Sequence, residues 1–333
     1  MILLDSLRPP TLMDPSVGAY KDWLHLNVFD HAASSVGLIN VSLHGAPDDK
    51  RSRAVGVALV CQPDVGWFGN LEIRGIEEAV IGRASIAMEH TALAVQANTG
   101  TVMASVQDPH SALAARVTAT AAAPPINGDE KLSLGGGWIS WYAVPRLTLV
   151  GDWTISGQHT NLKTASAYHD HNWGRWHWGD NLGWDWGCFL TPGSEGVGFV
   201  LSRTCDRAHR IFGKHNLVVQ VAKKRRTFAG SAVTLDYSGT LEIARRIPGA
   251  LAALHHDHAG IKLPNYLEIN ADDGMDRANV QFSAHSAVQL ILADPQVRGY
   301  SFIHEMAGSF NCSGCIGGTE IYDSGLGILE MVC

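Results

Sequence analysis

Short apolar runs, several alternating with period two and each closed by turn-forming residues, constrain this chain more than any other feature. Trp23–Phe29 reads Trp-Leu-His-Leu-Asn-Val-Phe, and Val36–Leu43 follows as its natural hairpin partner. Ala54–Cys61, Leu71–Ile76, Ala92–Ala97, Thr101–Gln107 and Leu113–Ala121 continue the pattern. A loop rich in Pro, Asn and Gly spans Ala122–Asp129, and Gly137–Val150 then reads as an aromatic strand followed by another. The second half holds similar runs at Gly187–Leu190, Gly198–Arg203, His215–Ala222, Ala229–Leu235, Tyr266–Ile269, Val280–Ser283, Val288–Leu292 and Tyr300–Met306. Only Pro248–His258 predicts a helix, with Pro at its start and Gly260 beyond its end. No solenoid period is present. In 333 residues, so many strands predict an all-β chain of two antiparallel barrels with little helix, residues 1–205 and 206–333.

Composition removes several functional classes. Net charge is −7 and the only basic run is Lys223-Lys224-Arg225-Arg226, so a nucleic-acid partner is not expected. Those cations suit a strand edge, where lysine discourages edge-to-edge pairing. The Met1–Asp5 lead has no basic start and too short an apolar run for a signal peptide, and no stretch reaches membrane-span length. Six scattered cysteines show no disulfide framework, and a reducing, cytoplasmic setting is expected. The oligomeric state is not legible.

Chemistry concentrates between Tyr168 and Gly187. This stretch contains five of the ten tryptophans, three histidines and three aspartates. On an extended strand, His169, His171 and Trp173 share one face while Tyr168, Asp170 and Asn172 share the other. Trp184 and Trp186 project together, with Asp185 opposite. Ionisable groups beside large aromatic bodies can hold an apolar substrate against a proton donor. The competing reading is an aromatic barrel wall whose polar groups are merely satisfied.

Other constellations are weaker. His169 and His171 have a metal-ligand spacing, with His177 a conceivable third donor, but Asp170 points away and no metal is expected. His255-His256-Asp257-His258 reads as a solvent-facing cluster, and Cys312-x-x-Cys315 lacks a second pair. There is no nucleophile elbow, no phosphate loop and no dinucleotide fingerprint, so no cofactor is expected. Acid–base chemistry in an aromatic pocket remains. Burial among indoles would raise an aspartate pKa and keep it a proton donor near neutrality.

Tyr168-His-Asp-His-Asn-Trp-Gly174 and Gly183-Trp-Asp-Trp186 resemble the signature of the carotenoid 1,2-hydratase (hydroxyneurosporene synthase) superfamily. Lipocalin-like predicted hydrolases, kievitone-hydratase-like proteins and fungal decalin-forming Diels–Alderases share that superfamily. Ser140–Gly151 is similar to the strand pair that precedes the signature in such proteins. The resemblance covers the whole chain and implies two lipocalin-like barrels side by side. It implies that a His, a Trp and a nearby Asp help to protonate a C=C bond. His171 and Trp173 match the first two; the acid is Asp170 or Asp185. If His171 points inward, Asp185 is the better acid; if Asp170 does, His169 and His171 become structural.

The expected catalytic set is therefore Asp170, His171, Asp185 and His169. Tyr168, Asn172, Trp173, Trp176, Trp184, Trp186 and Tyr142 would bind substrate. The expected activity is acid-assisted hydration or cyclisation of an apolar, unsaturated isoprenoid or polyketide in a pocket at the barrel junction. The alternative is a non-catalytic carrier of the same ligands.

Overall fold

The computed structural model describes residues 5–11, 17–110, 112–128, 130–248, 261–294 and 297–333. Strand accounts for 69% and helix for 3%. The expectation of an all-β chain with two curled antiparallel sheets therefore holds. Helix among the described residues is confined to the single turns Val17–Ala19, Ile76–Glu78 and Gly230–Ala232. The segment predicted helical, apart from Pro248, lies outside the described residues, as does the His255–His258 cluster.

The first sheet is mainly a meander in which sequence neighbours pair. Its exception positions the site: the late strand Gln158–Arg175 pairs with the first strand, Tyr20–Asp30, as well as with Gly137–Ile155. Register places Leu26 opposite His169, Leu24 opposite His171 and Asp22 opposite Trp173. Tyr20, Leu24, Leu26 and Val28 face inward with Ala165, Ala167, Tyr142 and Val144, forming one buried core. The two runs read within Gly137–Val150 are a single strand that extends to Ile155. Pro145, which cannot donate to a ladder, sits where the register shifts between Val144 and Leu147. Gly137 is required by close approach, since a Cβ there would lie 1.6 Å from the Arg175 carbonyl oxygen.

The second sheet runs in the order Lys224–Ala229, Phe212–Val221, Val197–Cys205, Gly183–Leu190, Thr319–Val332, Gly299–Ile316, Arg277–Asp294, Tyr266–Asp272 and Val233–Ser238. Ile243–Ile247 adds to Arg277–Asp294 in parallel. Its own core holds Phe189, Phe199, Phe282 and Phe310. Lys224-Arg225-Arg226 lies on a terminal strand, where edge lysines are expected. Cys312 and Cys315 lie inside the Gly299–Ile316 strand.

The chain divides into one unit of residues 1–30, 37–60 and 68–177 and another of 31–36, 61–67 and 178–333. The main passage thus falls between His177 and Trp178, ahead of the seam expected at 205. The strands Gly183–Leu190 and Val197–Cys205 pair with Thr319–Val332 and Phe212–Val221, which commits both to the second sheet.

Candidate functional site

Alternation along Gln158–Arg175 turns His169, His171 and Trp173 toward the first core, as the spacing predicts. The ring centroids of His171 and Trp173 are 4.9 Å apart. Two carboxylates complete this face, and neither belongs to the motif. Asp22 stands on the inward row of Tyr20–Asp30, diagonal to His171 across the ladder. Its Oδ1 accepts from His171 Nε2 at 2.7 Å. Its Oδ2 accepts from the Arg8 backbone N–H at 2.6 Å and lies 3.0 Å from the Tyr20 hydroxyl. Asp5 lies between the two imidazoles, with Oδ2 3.3 Å from His169 Nε2 and Oδ1 3.3 Å from His171 Nδ1. His169 is oriented by a 2.7 Å bond from Nδ1–H to the His25 carbonyl.

The N-terminal segment carrying Asp5 is anchored in the same sheet. Leu7 enters the core and its N–H donates to the Arg83 carbonyl at 2.8 Å. The Arg8 guanidinium stacks 3.8 Å from the Trp173 ring centre, a cation–π contact. Asp5, Asp22, His169 and His171 are all buried.

Burial by itself disfavours an imidazolium at His171. Hydrogen bonds and attraction from Asp22 and Asp5 outweigh it, raising the His171 pKa from the ordinary 6.5 to about 9. Burial likewise acts to raise the Asp5 carboxyl, but His169 and His171 hold it well below the usual carboxylate range. The Tyr20 hydroxyl is pushed far above the ordinary phenol value, first by burial and then by Asp22. The cluster is therefore a buried imidazolium fixed between two carboxylates. Of the two imidazolium N–H groups, Nδ1–H is held less tightly, facing Asp5 Oδ1 at 3.3 Å against 2.7 Å from Nε2 to Asp22 Oδ1.

The other expected residues separate. Asp170 points to the opposite face and accepts a hydrogen bond from the Asn172 amide, so it does not share the inward face of His171. Tyr168 is buried on that same outer row, and Tyr142 lies directly across the ladder from His171. Trp176 follows the strand, packs edge-on against Trp23 at 5.3 Å, and accepts from Lys21 Nζ through its carbonyl. His177 lies beyond the strand end, away from the periodicity that would align it with His169 and His171.

Asp185 belongs to the second sheet, not to a strand beside the motif. It accepts from Arg203 Nε at 2.7 Å and from the Tyr237 hydroxyl at 3.1 Å. Burial acts to raise its pKa, yet His209 and Arg203 hold it below the ordinary value, so it is ionised rather than a retained proton donor. The carboxyl that behaves as expected near an indole is Glu330. Burial raises its pKa against the opposing effects of the Trp184 N–H and of Glu305, which stands directly across the ladder. Trp184 is buried and Trp186 partly exposed on this strand.

Among the described residues, two groups have donors close enough for a metal: Asp185, Cys205 and His209, and Glu72, Glu89 and His90. The latter borders a cavity of about 200 Å³, but Arg74 already pairs with Glu72 and Glu89. A cavity of about 570 Å³ in the second unit is lined by Ser231, Asn270, Arg277, Asn279 and Tyr322 among others, and no histidine lines it.

Two curled antiparallel sheets of this order define a lipocalin-like fold, and solved structures share it across nearly their full length. A protein assigned as AttH from Nitrosomonas europaea superposes with a TM-score of 0.68 at 14% identity, covering 98% of this chain and 99% of that one. Kievitone hydratase from Nectria haematococca gives 0.63 at 12%, covering 95% and 89%. CghA with Sch210972 gives 0.59 at 12%, covering 95% and 88%. No family model and no curated protein sequence matches the chain.

Proposed function

We propose that this protein is an enzyme of hydration or cyclisation acting on an apolar, unsaturated small molecule of isoprenoid or polyketide type. His171 would be its central group and would act without a metal. The observation that carries this reading is the His171 imidazolium, held between Asp5 and Asp22 against the Trp173 ring. An imidazolium with a pKa of about 9 is too weak an acid to protonate an isolated alkene, but it is a strong hydrogen-bond donor. It suits a carbonyl conjugated to the reacting C=C bond. Drawing electron density toward that oxygen favours either water adding at the distal carbon or ring closure of a folded polyene. Preorganised charge and substrate positioning then supply most of the rate. Trp173 and Tyr142 would form the inner aromatic wall; Tyr168, Asn172, Asp170, Trp176, Trp184 and Trp186 remain proposed ligand-facing or supporting groups. The kievitone hydratase and CghA folds support the reading at the level of architecture. None of the six cysteines is joined in a disulfide, which supports a reducing compartment.

A carrier of the same ligands is the second reading, favoured by the burial of the whole His–Asp cluster. Incubation with a panel of prenylated phenols, linear isoprenoids and polyene ketones, read by liquid chromatography and mass spectrometry, separates the two. Products gaining one water, or isomers of unchanged mass and altered retention, support the enzyme. Saturable binding with unchanged ligand supports the carrier.

A further inference from the structure

The hairpin turn between Val197–Cys205 and Phe212–Val221 folds His209 back over its own strand. Asp206 Oδ1 accepts from the Arg210 and Ile211 N–H groups at 2.7 and 2.8 Å, and the His209 N–H donates to the Asp206 carbonyl at 3.0 Å. His209 adopts a positive φ of 51°, uncommon for a residue with a side chain. Its Nε2–H donates to the Val332 carbonyl at 2.8 Å, which leaves Nδ1 facing inward. There Nδ1 meets Asp185 Oδ1 at 3.3 Å without hydrogen-bond geometry, and both atoms are buried with no hydrogen-bond partner. Asp185 is wholly buried, so this oxygen cannot turn to solvent. The Cys205 sulfur completes a triangle in which all three donor atoms lie within 4.8 Å of one another.

We propose that Asp185, Cys205 and His209 form a binding site for one divalent, zinc-type cation in the second unit. One sulfur, one imidazole nitrogen and one carboxylate oxygen suit a tetrahedral ion of intermediate softness, with water in the fourth position. Donors in such a site stand about 3–4 Å apart, as expected from metal–ligand bonds of about 2.0–2.3 Å. The Asp185–His209 pair already has that spacing. Surrounding contacts are those that orient ligands. A backbone carbonyl holds the far nitrogen of His209, while Arg203 and Tyr237 occupy Oδ2 of Asp185 and leave Oδ1 available. Cys205 and His209 are separated by three residues, a common spacing for ligands from one turn. Binding displaces the thiol proton to solvent. The competing arrangement is a simple imidazolium–carboxylate ion pair.

The test uses tag-free full-length protein, stripped with chelator and titrated with Co²⁺. The site predicts a thiolate-to-cobalt charge-transfer band saturating at one equivalent and abolished by Zn²⁺. Cys205→Ser should lose the band while remaining folded by circular dichroism. His209→Gln should weaken Co²⁺ binding by at least about tenfold. A Cys312→Ser/Cys315→Ser double variant should keep the band. Zn²⁺ should raise the melting temperature of the wild type by clearly more than that of His209→Gln. Absence of the band in the wild type, its persistence in Cys205→Ser, or a melting temperature indifferent to Zn²⁺ would each overturn the site and leave only the ion pair.

Discussion

Replacing His171 by Gln tests the physical basis of the cluster through its pH dependence. The folded-state pKa is raised from about 6.5 to about 9, so the imidazolium contributes its full stabilisation below about pH 6.5. That contribution is lost as pH rises through about 9. At about 1.4 kcal/mol for each tenfold change in proton affinity, the loss between pH 6 and 9 amounts to about 3 kcal/mol. His171→Gln removes the cation but leaves Asp5 and Asp22 buried with less compensation, a change that typically costs about 3–5 kcal/mol. The variant should therefore be least stable relative to wild type near pH 6, and the gap should shrink by about 3 kcal/mol at pH 9. Urea unfolding at constant ionic strength measures both proteins at each pH. Subtracting the variant removes titrations elsewhere, including that of His209, which is also raised. A gap that is independent of pH, or that widens as pH rises, would refute the buried imidazolium.

Asp185→Asn should lower stability by about 3–5 kcal/mol, read by urea unfolding, because it leaves the Arg203 charge buried without its counterion. Trp173→Ala removes the platform between Arg8 and His171 and should cost about 3–5 kcal/mol, seen as a lower melting temperature. Glu330→Gln should leave the melting temperature nearly unchanged at neutral pH, since a carboxyl whose pKa is raised by burial loses little when replaced by a neutral amide. A loss of more than about 2 kcal/mol in urea unfolding would show that Glu330 is held ionised.

The fold was legible because alternation and turn residues report directly on a half-buried strand, and the shared face of His169, His171 and Trp173 follows from the same periodicity. Breaks in the pattern misled where hydrogen bonding continues across them. Pro145 interrupts the apolar run but only marks a bulge, and the two runs at Val280–Ser283 and Val288–Leu292 join into one strand, Arg277–Asp294. The passage between His177 and Trp178 is not legible in the sequence, because the strands around it are equally apolar and only long-range pairing assigns Gly183–Leu190 and Val197–Cys205 to the second sheet. Asp22 is 149 positions from His171, beyond any spacing argument. A signal was nevertheless present: in Tyr20-Lys-Asp-Trp-Leu-His-Leu26, Asp22 occupies the row of Leu24 and Leu26, and a charge on an apolar row requires a partner. Asp5, a lone acid closing an apolar lead, gave a fainter version of the same signal. Asp185 reads as a proton donor because the aromatic residues around it are visible in sequence, whereas Arg203, which keeps it ionised, comes from the neighbouring strand.

The pH profile of turnover on any substrate that the panel converts tests the central claim most directly. If His171 acts as a fixed cation, kcat holds level through neutrality and falls with a single ionisation near pH 9. His171→Gln should then lose about 10²–10⁴-fold at pH 7 and lack that ionisation, while Asp170→Asn keeps it. Turnover that rises through pH 9, or that survives intact in a folded His171→Gln protein, would contradict the account.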